Sequence, residues 1–252
     1  RMRPSPSWCD GRRHLTVEVA GHCLLIGNSR WHWAKQQAEA WQFCHSAPDP
    51  HRLQTLEVPL MAWAAVGAMP TEIALDPASR LELKNVPLKR MPPWLGIDRA
   101  LAAWGALKRA KACGMLANGL LVADAGTVLS ITRVTADGEF AGGQLVGGVS
   151  LQLRAMAQGT QNLIDPGLGP ISAEPFPITT AEAMRRGSIQ ALVGMLIEAQ
   201  REAELPLWLC GGDAPVLEQE LKQHGLDVAH HPNLALEGMV DVLKRISRAP
   251  SL

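Results

Sequence analysis

The chain has 252 residues, 47% of them hydrophobic and 19% charged, which excludes a disordered polypeptide and suffices for one large or two moderate domains. Its 24 basic and 24 acidic residues cancel, so net charge makes no case for a nucleic-acid or anionic-membrane partner. Five scattered cysteines without a Cys-x-x-Cys pair argue against a disulfide framework or a structural zinc site, and point to a reducing, cytoplasmic home.

The basic N-terminus lacks the apolar stretch of a signal peptide. No apolar run reaches the length of a membrane span; Met61 to Met69 is too short and contains Gly67. Arg1 to Gly21, with Pro4, Pro6 and Gly11, is expected to fray, with an edge strand over Thr16 to Ala20. Leu24-Leu25-Ile26 is an apolar run that breaks at Gly27-Asn28-Ser29-Arg30. Trp31-His32-Trp33-Ala34 alternates as its return strand, and Lys35 to Cys44 has helix-forming composition. Leu53 to Val58 and Glu72 to Leu75 read as short strands around a small apolar helix at Met61 to Ala68. A Pro-interrupted loop, Lys84 to Pro93, leads through Leu95-Gly96-Ile97-Asp98-Arg99 into a helix that ends near Ala112. Leu101, Trp104 and Leu107 form its apolar stripe. Asp98 at its start reads equally as an N-cap and as a base beside a cation, and both can hold because capping fixes a side chain in place.

The chain is organised around Leu120 to Ile131, where two apolar runs flank Asp124-Ala125-Gly126-Thr127. The runs read as buried strands and the break as a tight turn. Glycine lets an anion approach backbone amides, the hydroxyl can donate to a phosphate oxygen, and the carboxylate can hold a metal directly or through water. Alone, these residues also describe an ordinary hairpin turn. A similar turn at Gly27-Asn28-Ser29, near the start of the other half, suggests a duplicated fold with one phosphate loop in each half.

Further on, Asp137-Gly138 pairs Val128 to Val134 with Phe140 to Val146 as a hairpin. Gln152 to Gln158 suggests a helix, and Asn162 to Pro177 a loop that either covers the space between the two halves or runs over the surface. Thr179 and Glu182 form a capping-box pattern, leaving Thr180 to point towards a substrate. The helix they open runs to about Glu204. Leu205 to Cys210 reads as a strand ending at Gly211-Gly212, which suits a closely packed nucleoside or a flexible corner. Asp213, Pro215 and Gly225 bracket another helix, and Leu236 to Arg248 forms the last. His230-His231 lacks a nearby third ligand and reads as packing.

The paired turns resemble the acetate kinase, sugar kinase, heat-shock ATPase and actin superfamily. The ordered set Gly27-Asn28-Ser29-Arg30, Leu95-Gly96-Ile97-Asp98-Arg99, Asp124-Ala125-Gly126-Thr127, Gly142-Gly143, Thr179-Thr180, Gly211-Gly212 and Leu234-Ala235-Leu236-Glu237-Gly238 resembles one family within it, type III pantothenate kinase, also called Bvg accessory factor. The resemblance spans roughly Cys23 to Leu243. It implies an α/β fold of two similar ribonuclease H-like halves, 15–115 and 116–252, with the active site in the cleft between them. It implies ATP-dependent phosphorylation of the 4′-hydroxyl of pantothenate, the first step towards coenzyme A, with Mg2+, a monovalent cation (K+ or NH4+) and a homodimer. By the same resemblance Asp98 is the general base, and Gly96, Ile97, Asp98, Arg99 and Thr180 meet pantothenate. Gly27, Asn28, Ser29, Arg30, Trp31, His32 and Thr127 meet ATP, and Asp124 is the monovalent-cation ligand.

Three positions depart from the family pattern. The family's first-loop Asp is Leu25 here, so Asn28, Asp124 and ordered water carry the metal or ATP binds poorly. The chain has no Tyr to precede the Gly-x-Asp-Arg motif, where Lys89 to Trp94 stands instead. Gly147-Gly148 replaces a Pro-Gly turn, which loosens it. The rival expectation is a catalytically degenerate nucleotide-binding regulator of the same fold.

Overall fold

A computed structural model describes residues 19–58, 60–71, 73–116 and 118–248. Two mixed sheets repeat one topology. In the first, β1 (Val19–Ile26) pairs antiparallel with β2 (Trp31–Gln37), β2 antiparallel with β3 (Ala40–Ser46), and β1 parallel with β4 (Leu60–Ala65). In the second, β5 (Gly119–Ala125), β6 (Val128–Thr135), β7 (Phe140–Gly147) and β8 (Leu207–Cys210) pair in the same senses, and β9 (Ala229–His230) adds a parallel edge. The spatial orders are β3-β2-β1-β4 and β7-β6-β5-β8-β9.

Both central strands are buried on two faces, which is why they read as unbroken apolar runs. Along β5, Leu120 and Val122 face one core while Leu121, Ala123 and Ala125 face another. The first of these cores lies between the sheets. It contains Cys23 and Leu25 of β1, Leu120 and Val122 of β5, and two helices, α2 (Ile97–Ala112) and α6 (Leu234–Arg248). The outer face of the first sheet packs Leu24, Ile26 and Trp33 on α1 (Pro50–Gln54). The outer face of the second packs on α3 (Val149–Gly159), α4 (Thr180–Ala203) and α5 (Ala214–Gln223).

Helices α2 and α6 touch backbone to backbone. A Cβ on Gly105 would stand 2.1 Å from the Leu234 carbonyl, and one on Gly238 would stand 2.0 Å from that of Leu101. Arg109 closes the crossing with a two-pronged ion pair to Glu237, and Trp104 Nε1 donates to Asp241 at 2.8 Å.

Several sequence expectations are corrected. Lys35 to Cys44 is not a helix but the β2–β3 hairpin, turning at Ala38 with φ 51°. The apolar run from Met61 is strand β4, because it pairs in parallel with β1. Leu53 lies in α1 rather than in a strand, and of the strand expected over Glu72 to Leu75, Ile73 to Leu75 have no regular structure while Glu72 lies outside the described residues. Of the edge strand expected over Thr16 to Ala20, Val19 and Ala20 begin β1, while Thr16 to Glu18 lie outside the described residues, as does the N-terminal segment before them.

Candidate active site

The repeat brings the two turns face to face. Each leaves the end of its sheet's central strand, and each is closed by its own backbone: Gly27 N–H donates to Arg30 O at 2.9 Å, and Gly126 N–H to Val128 O at 3.3 Å. Ser29 Oγ and Thr127 Oγ1 then meet at 3.0 Å, across 98 residues of sequence. Glycines let neighbouring backbone close in. A Cβ on Gly67 would stand 2.1 Å from Gly27 O. Gly211, at φ 96°, leaves its hypothetical Cβ 2.4 Å from Ala125 O. The next amide but one, Asp213 N–H, donates to the same Ala125 oxygen at 2.9 Å.

Strand alternation decides where Asp124 points. It follows Leu120 and Val122 at steps of two, so its carboxyl faces the layer between the sheets. Loss of water, then the negative charge of Asp98, push it up to about 7, against a hydrogen bond from Cys210. Cys210 is its register partner on β8, and burial beside both carboxylates holds that thiol well above the usual range. Asp98 is half-buried and is likewise raised by burial, opposed by the amide and guanidinium of Arg99. Two poorly hydrated carboxyls therefore feel one another's charge, an arrangement that favours capture of a proton or a cation.

Asp98 does not cap its helix. Gly96 occupies the cap position, Ile97 is the first helical residue, and Asp98 Oδ1 accepts from the Arg99 amide at 2.8 Å. Arg99 reaches across to the second sheet, where its Nε donates to Thr132 Oγ1 at 3.3 Å. Gly143 leaves room for it: a Cβ there would stand 2.7 Å from Arg99 Nη2. The Gly-x-Asp-Arg stretch and the Asp-x-Gly-Thr stretch are thus joined through Asp98, Asp124, Arg99 and β6.

The other sequence-predicted residues are placed less uniformly. Asn28 and Arg30 are exposed on the first turn, and Arg30 lends its charge to the surroundings of Asp213 and His32. Trp31 is 2% exposed and packs on the outer face of the first sheet, so its side chain lies away from the space between the sheets. Thr180 is the exposed first residue of α4, and no side-chain bond joins it to the Asp98 group among the described residues. Thr179 does cap α4: its Oγ1 accepts from Glu182 N–H at 3.3 Å and donates to Glu182 Oε2 at 2.6 Å. His230 bonds Glu218 at 2.7 Å and His231 stacks on Trp208. No cluster of three or more metal-ligating side chains occurs among the described residues.

Sequence reasoning missed Cys210, Thr132, His45 and Asn233. Each enters through strand register or tertiary approach, and none stands in a local motif. It also missed a cavity of about 560 Å³ beside Gly212 and Asp213, walled by Ile171, Arg186, Val216 and Glu220. Arg186 pairs with Glu220 at 2.9 Å in that wall. Asp213, at the start of α5, and Val149 of α3 also line the cavity, and burial raises the Asp213 carboxyl against the Val149 amide and the charge of Arg30.

Residues 54–202 match the family model for type III pantothenate kinase. A type III pantothenate kinase of Synechococcus elongatus is 34% identical over 241 residues, covering 86% of this chain and 93% of that protein. Among solved structures, a Baf family transcriptional activator from Campylobacter jejuni superposes with a TM-score of 0.59 at 19% identity, covering 90% of this chain and 98% of the other. A 2-dehydro-3-deoxygalactonokinase from Sinorhizobium meliloti superposes at 0.54 with 15% identity, covering 92% and 98%. These two share the two-lobed fold, in which each lobe carries a mixed sheet. With a family model matched over more than half of its length and a 34% identical relative along most of it, this chain belongs to the type III pantothenate kinase family.

Proposed function

We propose that this protein transfers the terminal phosphoryl group of ATP to the 4′-hydroxyl of pantothenate. The observation that carries the reading is the Ser29–Thr127 contact, which joins the turns that follow β1 and β5, the second of them preceded by Asp124, whose carboxyl feels the charge of Asp98. Phosphoryl transfer needs positioning and charge neutralisation more than a strong base, and this arrangement offers both.

In this reading the phosphates lie between the turns, against the amides of 27–30 and the hydroxyls of Ser29 and Thr127. The nucleoside end takes the cavity beside Gly212, whose size suits it. Pantothenate lies against Gly96 to Arg99, with Thr180 as a further contact. Asp98 accepts the hydroxyl proton. One of its oxygens is occupied by the Arg99 amide, and its burial makes it a better base than an exposed carboxylate. Arg99 steadies charge on the transferring group.

Asp124 supplies hard oxygen to a monovalent cation, K+ or NH4+. Its raised pKa fits, because a bound cation would restore the ionised form that burial disfavours. The Leu25 side chain offers no oxygen to a divalent ion, so Mg2+ would be held by the ATP phosphates rather than by β1 and would supply charge neutralisation there. The working unit is a homodimer: Leu145, Ile164, Phe176 and Ile178 are 60% to 101% exposed, and a second copy would cover them. Residues 15–115 and 116–252 act as the two halves, in the cytoplasm.

The test is product formation by purified protein given pantothenate, ATP and Mg2+, in potassium and then in sodium buffer. Potassium-dependent 4′-phosphopantothenate is expected. Folded protein at high ATP that makes none in either buffer overturns the reading.

A further inference from the structure

Leu25 stands where the family places a carboxylate, and the sheet sets two imidazoles beside it. Leu25 pairs with His32 across β1 and β2, and His32 pairs with His45 across β2 and β3. Residues in register project from the same face, so the three side chains form a row on the side that packs towards α6. His32 Nδ1 and His45 Nδ1 lie 2.7 Å apart, and His45 Nε2 lies 3.0 Å from Asn233 Oδ1, immediately before α6.

With the Asn233 oxygen facing His45, this chain of bonds sets the tautomers. The Asn233 oxygen only accepts, so His45 Nε2 carries a hydrogen. Neutral His45 then has a bare Nδ1, which accepts from His32 Nδ1–H. His32 Nε2 is left with a lone pair. That atom lies under the first turn, where a Cβ on Gly27 would stand 3.2 Å from it, and it has no hydrogen-bond partner among the described residues.

The charges around the pair favour neutrality while no anion is present. Burial, His45 and Arg30 hold His32 down to about 4, and burial and Arg30 also lower His45 despite its bond to Asn233. Arg30 comes from the turn itself. On the α6 side Asn233 is neutral, and the acid in the first turn of α6, Glu237, is tied to Arg109. A polyphosphate entering the turn would bring strong negative charge to the free nitrogen. Protonating His32 Nε2 disturbs nothing, because Nδ1–H still donates to His45 and the whole chain keeps its directions.

We propose that His32 and His45 stand in for the missing carboxylate: as the nucleotide's phosphates enter the first turn, the pair takes up one proton from solvent, and His32 Nε2–H donates to a phosphate oxygen. A carboxylate would hold this loop to the phosphates through a metal; here an imidazolium holds it directly. The proton forms an N–H bond and no bond to phosphorus is made or broken, so His32 acts as a positioning residue. The inference rests on the ATP-dependent reaction proposed above.

The test is calorimetry of MgATP binding without pantothenate, at neutral pH, in two buffers of different ionisation enthalpy. Saturating Mg2+ keeps the nucleotide's own terminal phosphate ionised. Wild type should take up close to one proton per nucleotide, and His32→Gln should bind more weakly with none. The KM for ATP should rise by close to tenfold per pH unit between pH 6 and pH 8 in wild type and stay flat in His32→Gln. A merely structural histidine would move neither the uptake nor that slope. Should His32→Gln fail to fold, His45→Gln is expected to lower the uptake. Equal heats in both buffers for a wild type that binds MgATP and makes product overturn the role of the pair alone. Unchanged uptake in a folded variant does the same. A wild type that neither binds MgATP nor forms product overturns the kinase reading together with it.

Discussion

The two sheets share a strand order and a turn, yet their turns stand on opposite chemistry. Two residues before the turn glycine, β1 carries Leu25 and β5 carries Asp124. Leu25 is 2% exposed and belongs to the core between the sheets, with His32 and Ala64 as its register partners. Asp124 faces the same layer, with Ser130 and Cys210 as its partners, and is coupled to Asp98. The two sheets therefore share the geometry of the turn, while a carboxyl precedes it in one copy only. Backbone amides and turn hydroxyls recur in both halves, whereas the carboxylate charge of the centre comes from β5 and α2.

The largest expected effect comes from the acid on α2. Asp98→Asn should lower turnover by about a thousandfold with the fold intact, as for loss of a general base. Turnover within tenfold of wild type, in a variant with an unchanged melting curve, would remove Asp98 from that role. Next is the acid of β5. Asp124→Asn should cost about a hundredfold in rate and abolish potassium activation together. The sign of the stability change is opposite. Asp124 titrates at about 7 in the fold against an ordinary value of 3.8, so the unfolded chain releases this proton first. Its contribution to stability is therefore lost as pH rises from about 4 to 7. The Asn variant should melt higher than wild type at pH 8 and no higher at pH 4. An unaltered Tm difference between the two would mean that Asp124 is not strained by burial. For the same reason, wild-type kcat should fall below about pH 7 at low potassium, and added potassium should move that limb to lower pH.

Making the halves alike sharpens the comparison at a smaller scale. Leu25→Asp should destabilise the empty protein by about 2 kcal/mol, because a core site must then hold a carboxyl. It should also lower the Mg2+ concentration needed for half-maximal rate. Weaker Mg2+ dependence without the stability loss would place residue 25 nearer to solvent than its packing indicates. The smallest effect belongs to the contact between the turns. Ser29→Ala should raise the KM for ATP a few-fold, about 1 kcal/mol, and leave kcat nearly unchanged. Loss confined to kcat would argue against a phosphate-positioning role.

Several features were legible in the chain because they are local. The apolar runs at Leu24 and Leu120 are continuous because their strands are buried on both faces, and Gly27 and Gly126 interrupt them where the backbone must turn. The α2 stripe, the Thr179 cap and the Asp137-Gly138 turn are likewise written in neighbouring residues. The errors came where the deciding partner was distant. Lys35 to Cys44 holds good helix formers and turns at Ala38 rather than at Gly or Asn, so only pairing with β1 makes it a hairpin. Met61 to Ala65 is an apolar run too short for periodicity to assign, and its parallel partner lies some forty residues earlier.

By itself, then, the sequence determined which segments are buried, where two similar glycine-hydroxyl turns fall, and which family carries that order of motifs. Only the tertiary structure decided the chemistry between them. Asp98 and Asp124 become one electrostatic unit because α2 lies between two sheets, and Coulomb coupling depends on distance through space rather than along the chain. His32, His45 and Asn233 become one hydrogen-bonded chain for the same reason: strand register and the approach of α6 set them within 3.0 Å, and no local pattern records either.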